Sequence, residues 1–200
     1  MQSFHRRYLH YLKQRIYQSP NGSAERRELA LKICQIKGLV EKDVEAINRH
    51  GDSKLAVAVH EGVGLELLGL LVDAGANPRG GVIACCQVGN VQALALLIER
   101  GADVTGDGFS VEQAGMYGHT ECIRALVSAK ASVDNHNQLY WAADYGQVES
   151  VRTLLELKAD VNVSDSWGWT PLMTVTRRNN SEDRREKNKL IAELLRAHGA

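Results

Sequence analysis

One pattern returns along this chain of 200 residues. Small residues lead to a glycine, an apolar pair follows, and the copy closes on Gly or Lys, then Ala, any residue and usually Val. It runs as VAVHEGVGLELLGLLVDAGANP from Val57, ACCQVGNVQALALLIERGADV from Ala84, QAGMYGHTECIRALVSAKASV from Gln113 and WAADYGQVESVRTLLELKADV from Trp141. A last copy starts at Thr170 with TPLMTVTRRNN and ends in LIAELLRAHGA, and a weaker first copy starts at Leu29. No unit of this size can bury its own apolar face, so the copies must stack to build one core.

Each copy reads as two short helices joined at a glycine. In the second helix the apolar residues fall at helical spacing, as at Val148, Val151, Leu154 and Leu155. In the first helix small residues such as Ala142 and Ala143 dominate, which lets neighbouring helices approach closely. Gly89, Gly118 and Gly146 fit left-handed caps between the helices, and Gly75 and Gly101 fit the same role after the second helix. Lys130 and Lys158 stand at that place in two copies, a departure expected to cost local stability.

The segments ALALLIERGADV (Ala93 to Val104), YGHTECIRALV (Tyr117 to Val127), AADYGQVESVRTLLELKADVN (Ala142 to Asn162) and D-x-x-G-x-T-P-L (Asp165 to Leu172) resemble the ankyrin-repeat family. The resemblance implies an all-α fold, an ankyrin-like α-solenoid of stacked helix pairs, with five to six repeats over residues 23–200. Family repeats run about 33 residues. Gly89 to Gly118 is 29 here and Gly118 to Gly146 is 28, so the β-turn fingers between repeats are expected to be short or missing. ANPRGGVI (Ala76 to Ile83) is a still shorter link, and only NVSDSWGWTPL keeps the full length.

Two segments fall outside this pattern. Residues 1–22 place Phe4, Tyr8, Leu12 and Ile16 four apart among basic residues, one face of a helix that ends at SPNGS. Such a helix would cap the first repeat, or serve partner binding or targeting. In the last repeat RRNNSEDRREKNK (Arg177 to Lys189) lengthens the turn between helices. Its mixed charge fits a solvated loop or an extended helix with Glu/Lys pairing, or a charged contact site.

Lys+Arg and Asp+Glu balance at 24 each, which argues against a general nucleic-acid binder. No apolar run approaches the roughly 20 residues of a membrane span, and the start lacks the apolar stretch of a secretory signal. Cys34, Cys85, Cys86 and Cys122 form no metal-ligand spacing and read as small buried hydrophobes in a reducing, cytoplasmic or nuclear, compartment. GVGLELLG lacks the Lys-Ser/Thr of a phosphate loop, and the GDG at Gly106 to Gly108 is explained by turn chemistry. His119 reads as a helix-start residue. No catalytic constellation, metal site or cofactor site is expected.

What the resemblance implies instead is a partner surface on the concave face, built from the first helices and the links. The expected contact residues are Tyr117, Trp141, Tyr145, Trp167, Trp169, Arg177 and Arg178, of types enriched at binding hot spots. Trp141 could equally fill the core between repeats. Trp169 is expected to seal the shortened link and Trp167 to make contact. Asn162, in LLELKADVN, resembles ankyrin-repeat asparagines that a hydroxylase modifies, or simply bonds its turn. The expected function is a monomeric, non-catalytic adaptor or scaffold for a protein partner. The alternative is the recruiting or targeting part of an enzyme system, or a secreted effector, with its chemistry elsewhere.

Overall fold

A computed structural model describes residues 18–20, 23–25, 28–29, 54–73, 76–134, 137–177 and 182–200. Almost all of the expected N-terminal helix, the first copy beyond Leu29, Cys34, Gly75, His136 and Arg178 lie outside them. The helices come in pairs: α1 (Lys54–His60) with α2 (Leu65–Asp73), α3 (Pro78–Val88) with α4 (Val91–Glu99), and α5 (Gly108–Tyr117) with α6 (Thr120–Ser128). Two more pairs complete the series, α7 (Gln138–Asp144) with α8 (Val148–Glu156) and α9 (Pro171–Arg177) with α10 (Glu182–Ala197). No strand occurs among the described residues, and the architecture is an all-α, ankyrin-like solenoid.

The helix boundaries follow from local chemistry. Pro78 opens α3, where its missing N–H is no loss and its fixed φ suits the first turn. Asn77 Oδ1 accepts from the Arg79 N–H at 2.9 Å, so α3 needs no finger before it. Asp107 caps α5, accepting from the Phe109 and Ser110 N–H groups at 3.1 and 3.3 Å. This is the turn chemistry expected of the GDG stretch. At its far end α5 stops on Gly118 at φ +84°, and the His119 N–H reaches back to the Ala114 carbonyl at 2.9 Å. Gly89 and Gly146 repeat this cap at φ +75° and +70°. Lys130 and Lys158 adopt φ +70° and +69°, a region that L side chains enter at about 1–2 kcal/mol each.

The chain divides into two compact units. One takes the described residues up to Ala84 together with Ala95–Ala102. In it a Cβ on Gly81 would come within 2.7 Å of Leu55 Cδ2 and 3.0 Å of Leu97 Cδ1, so glycine is what lets these helices close up. Arg100 ties this unit together, donating to Asp73 Oδ2 at 2.8 Å and to the Gly69 carbonyl at 3.0 Å.

The other unit holds Cys85–Leu94 and Asp103–Ala200. Its first helices α5, α7 and α9 pack in succession, and its second helices α6, α8 and α10 form the layer behind them. Ile123, Leu126, Leu139, Leu154, Ile191 and Leu195 are fully buried there. Each such side chain contributes about 1.5–3 kcal/mol of hydrophobic stabilisation. Ala142 and Ala143 are equally buried, as close helix packing requires. No described helix is long and apolar enough to cross a membrane.

Candidate functional site

The link before α9 is the full-length finger, and a single carboxylate shapes it. Asp165 Oδ1 accepts from the backbone N–H groups of Trp167 and Trp169, each at 2.9 Å. The Asp165 N–H donates to the Trp169 carbonyl at 3.0 Å, and the Gly168 N–H to the Asp165 carbonyl at 3.1 Å. Gly168 turns the chain at φ +78°, a conformation glycine adopts without steric cost. The result is a tight loop tethered by four hydrogen bonds, with Trp167 at its tip and 82% exposed. Trp169, two residues on, is half-buried, and Arg177 places its guanidinium carbon 4.8 Å from the centre of the ring. The Arg177 side chain itself is exposed.

The ends of the first helices supply the other candidates. Tyr117 closes α5 and Tyr145 follows α7, each just before a glycine cap, and they are 48% and 46% exposed. Val88 stands at the same register at the end of α3 and is exposed as well. Trp141 is half-buried and belongs to an aromatic group along α7. Its ring meets Tyr140 edge-on at 5.2 Å and Tyr145 at 6.4 Å. Edge-to-face pairs of this kind contribute about 0.5–1.5 kcal/mol beyond area burial. Trp141 therefore packs edge-on against both Tyr140 and Tyr145 while half-buried.

His119 stands at the start of α6, as the sequence reading expects, and its side chain makes no cap there. Its Nε2 lies 3.1 Å from the Gln87 carbonyl at the end of α3. Gln147 takes the same step one repeat later, donating from Nε2 to the Met116 carbonyl at 3.0 Å. In the last repeat Arg184 takes it, donating to the Ala143 carbonyl at 3.5 Å and to that of Asp144. Each bridge crosses a glycine: a Cβ on Gly89 would come within 2.5 Å of His119 Nδ1, one on Gly118 within 2.8 Å of Gln147 Oε1, and one on Gly146 would strike Arg184 Nη1. These glycines thus serve both the positive φ and the bridge. The charged insertion is partly helix, since α10 begins at Glu182, and its Lys187 pairs with Asp183 at 2.9 Å. Arg184, however, is committed to the frame that carries Tyr145.

The remaining candidates are quieter. Cys85, Cys86 and Cys122 are buried free thiols. Burial pushes Cys85 up to about 12 and Cys122 to about 11, and it raises Cys86 further, so none is a ready nucleophile. Glu112 on α5 is raised to about 6 by partial burial. Asn162 is exposed; its backbone N–H donates to Asp160 Oδ1 at 2.9 Å, and its side chain reaches the Gly199 carbonyl at 3.5 Å. Among the described residues no group of His, Cys, Asp and Glu could hold a metal ion.

The family model described as ankyrin repeats, in three copies, matches residues 82–165. Among solved structures the chain is similar to the crystal structure of the human ASB11 ankyrin repeat domain. The TM-score is 0.67 at 24% identity, over 87% of this chain and 83% of that one. No curated protein matches the sequence.

Proposed function

We propose, from the premise that this chain is an ankyrin-repeat protein with the repeats of residues 82–165 at its centre, that it is a non-catalytic adaptor. Its protein partner docks on the ends of the first helices and on the finger. Ankyrin repeats are in general protein–protein interaction modules. The observation that carries the reading for this chain is Trp167, 82% exposed on a loop whose backbone is already fixed by Asp165. A tryptophan left in water costs hydrophobic free energy that burial against a partner returns, and a loop held in place loses little entropy on binding. Tyr117, Trp141, Tyr145, Trp169, Arg177 and Arg178 complete the proposed surface, with Trp167 as its anchor.

The test is affinity capture with the full chain from its native cell, followed by mass spectrometry. A protein retained by the native chain and lost by Trp167→Ala, with the helical circular dichroism unchanged, supports the reading. A protein retained equally by both places the contact elsewhere.

A further inference from the structure

The finger has a charge as well as a shape. From Val163 to Arg177 the chain carries one acid, Asp165, and one base, Arg177, and Arg178 comes directly after. The acid's Oδ1 is held by the N–H groups of Trp167 and Trp169. That oxygen is occupied by the finger's own backbone donors and is not open to a partner's donor. On the next helix, α10, Asp183 is bound by Lys187. The finger's exposed aromatic and exposed cationic side chains are Trp167 and Arg177.

The guanidinium is also held in place. It lies over the Trp169 ring at 4.8 Å, and Trp169 is half-buried, so the ring is a fixed platform. A guanidinium seated over a ring keeps its N–H donors at its edge, the arrangement that meets a carboxylate with two parallel hydrogen bonds. Trp167 and Trp169 are two residues apart, so their Cα atoms lie within about 7 Å of each other. We infer that the finger recognises an acidic protein segment, with an Asp or Glu side chain docked on Arg177 and a neighbouring apolar side chain packed on Trp167. This rests on the reading of the finger as the partner anchor and specifies the partner's chemistry.

The experiment selects from a random library of displayed 12-residue peptides on the full chain and then measures the winners by fluorescence polarisation. The expected winners carry Asp or Glu beside an apolar residue. They weaken about tenfold with Arg177→Lys, which keeps the charge and loses the planar fork. Arg185→Lys on the exposed side of α10 leaves them unchanged. Winners that are basic or uncharged yet need Trp167 overturn the acidic partner and leave the anchor standing. Acidic winners indifferent to Trp167→Ala overturn the anchor and this inference with it. Acidic winners that bind Arg177→Lys as tightly as the native chain overturn the role of the guanidinium. Peptides that bind only when they carry phosphoserine overturn the carboxylate.

Discussion

The chain leaves α4 and α8 in the same way and then does two different things. Ala102 and Ala159 each donate back to the helix just ended, to the Leu97 and Leu154 carbonyls at 2.9 and 3.0 Å. Asp103 and Asp160 then each accept from the backbone N–H two residues on, both at 2.9 Å. After Asp103 the next helix begins five residues later, at Gly108, and after Asp160 it begins eleven later, at Pro171. The short link uses its second aspartate, Asp107, to cap α5. The long one uses its second aspartate, Asp165, to fold a tip. The same residue type at the same stage of a link thus serves either the frame or the surface, and the extra length decides which. In the short link the Gly106 N–H donates to the Lys130 carbonyl at 3.0 Å, which draws the link toward the next one.

The sharpest way to break this comparison is to remove the aromatic residues that only the long link carries. Trp167→Ala with Trp169→Ala is expected to weaken partner binding by at least about 2 kcal/mol, roughly 30-fold, with the fold intact. Early melting of the double mutant would instead make the pair part of the cap. Next come the two aspartates. Asp165→Ala should free the tip and weaken binding by about 1–1.5 kcal/mol with little change in unfolding midpoint. Asp107→Ala should do the reverse, lowering stability by about 1 kcal/mol through the lost cap while binding holds. Titration calorimetry and urea denaturation on both variants decide it, and two variants with the same profile would erase the distinction.

Smaller effects test the shared part of the links. Lys130→Gly and Lys158→Gly each relieve a positive φ and should each raise stability by about 0.5–1 kcal/mol in urea denaturation. Equal gains mean that each turn is independent of the length of its link, whereas a gain at one alone would tie the strain to that length. The smallest effect concerns Glu112, on the helix that the short link caps. Its folded pKa, about 6, lies above the ordinary value of 4.5, because burial disfavours the charged form. Its protonated form therefore costs nothing at low pH, and stability falls as pH rises from about 4.5 through about 6. Glu112→Gln should match the native chain at about pH 4 and exceed it at pH 7 by less than about 1 kcal/mol, allowing for partial exposure.

The repeat was legible because its signals are local. Glycine before the second helix, small residues in the first and apolar residues at helical spacing all act within one unit. They located Gly89, Gly118, Gly146 and the turns at Lys130 and Lys158. The finger was legible by counting, since it alone keeps the full length that the other links have lost. The bridges were harder to read. His119 looks like a helix start because its own helix is adjacent in sequence, but its ring bonds a carbonyl 32 residues away. Arg184 lies in a charged insertion whose pattern fits a solvated loop, a paired helix or a contact site alike, and names no bond for it. The sole sequence signal was the repetition of a polar side chain, His119 and then Gln147, directly after each glycine, which asks what takes that place in the last repeat. Asp165 opens the D-x-x-G-x-T-P-L segment, but its part in folding the tip is not legible, since its partners are two backbone N–H groups that leave no mark in the sequence.

The central claim is that Trp167 meets a partner. A photoreactive phenylalanine placed at position 167 of the full chain, expressed in its native cell and irradiated, tests it most directly. The account predicts one protein adduct from position 167, shared with the same probe at Tyr145, and none from Glu121 on the exposed side of α6. An adduct from position 121 with none from 167 would contradict it.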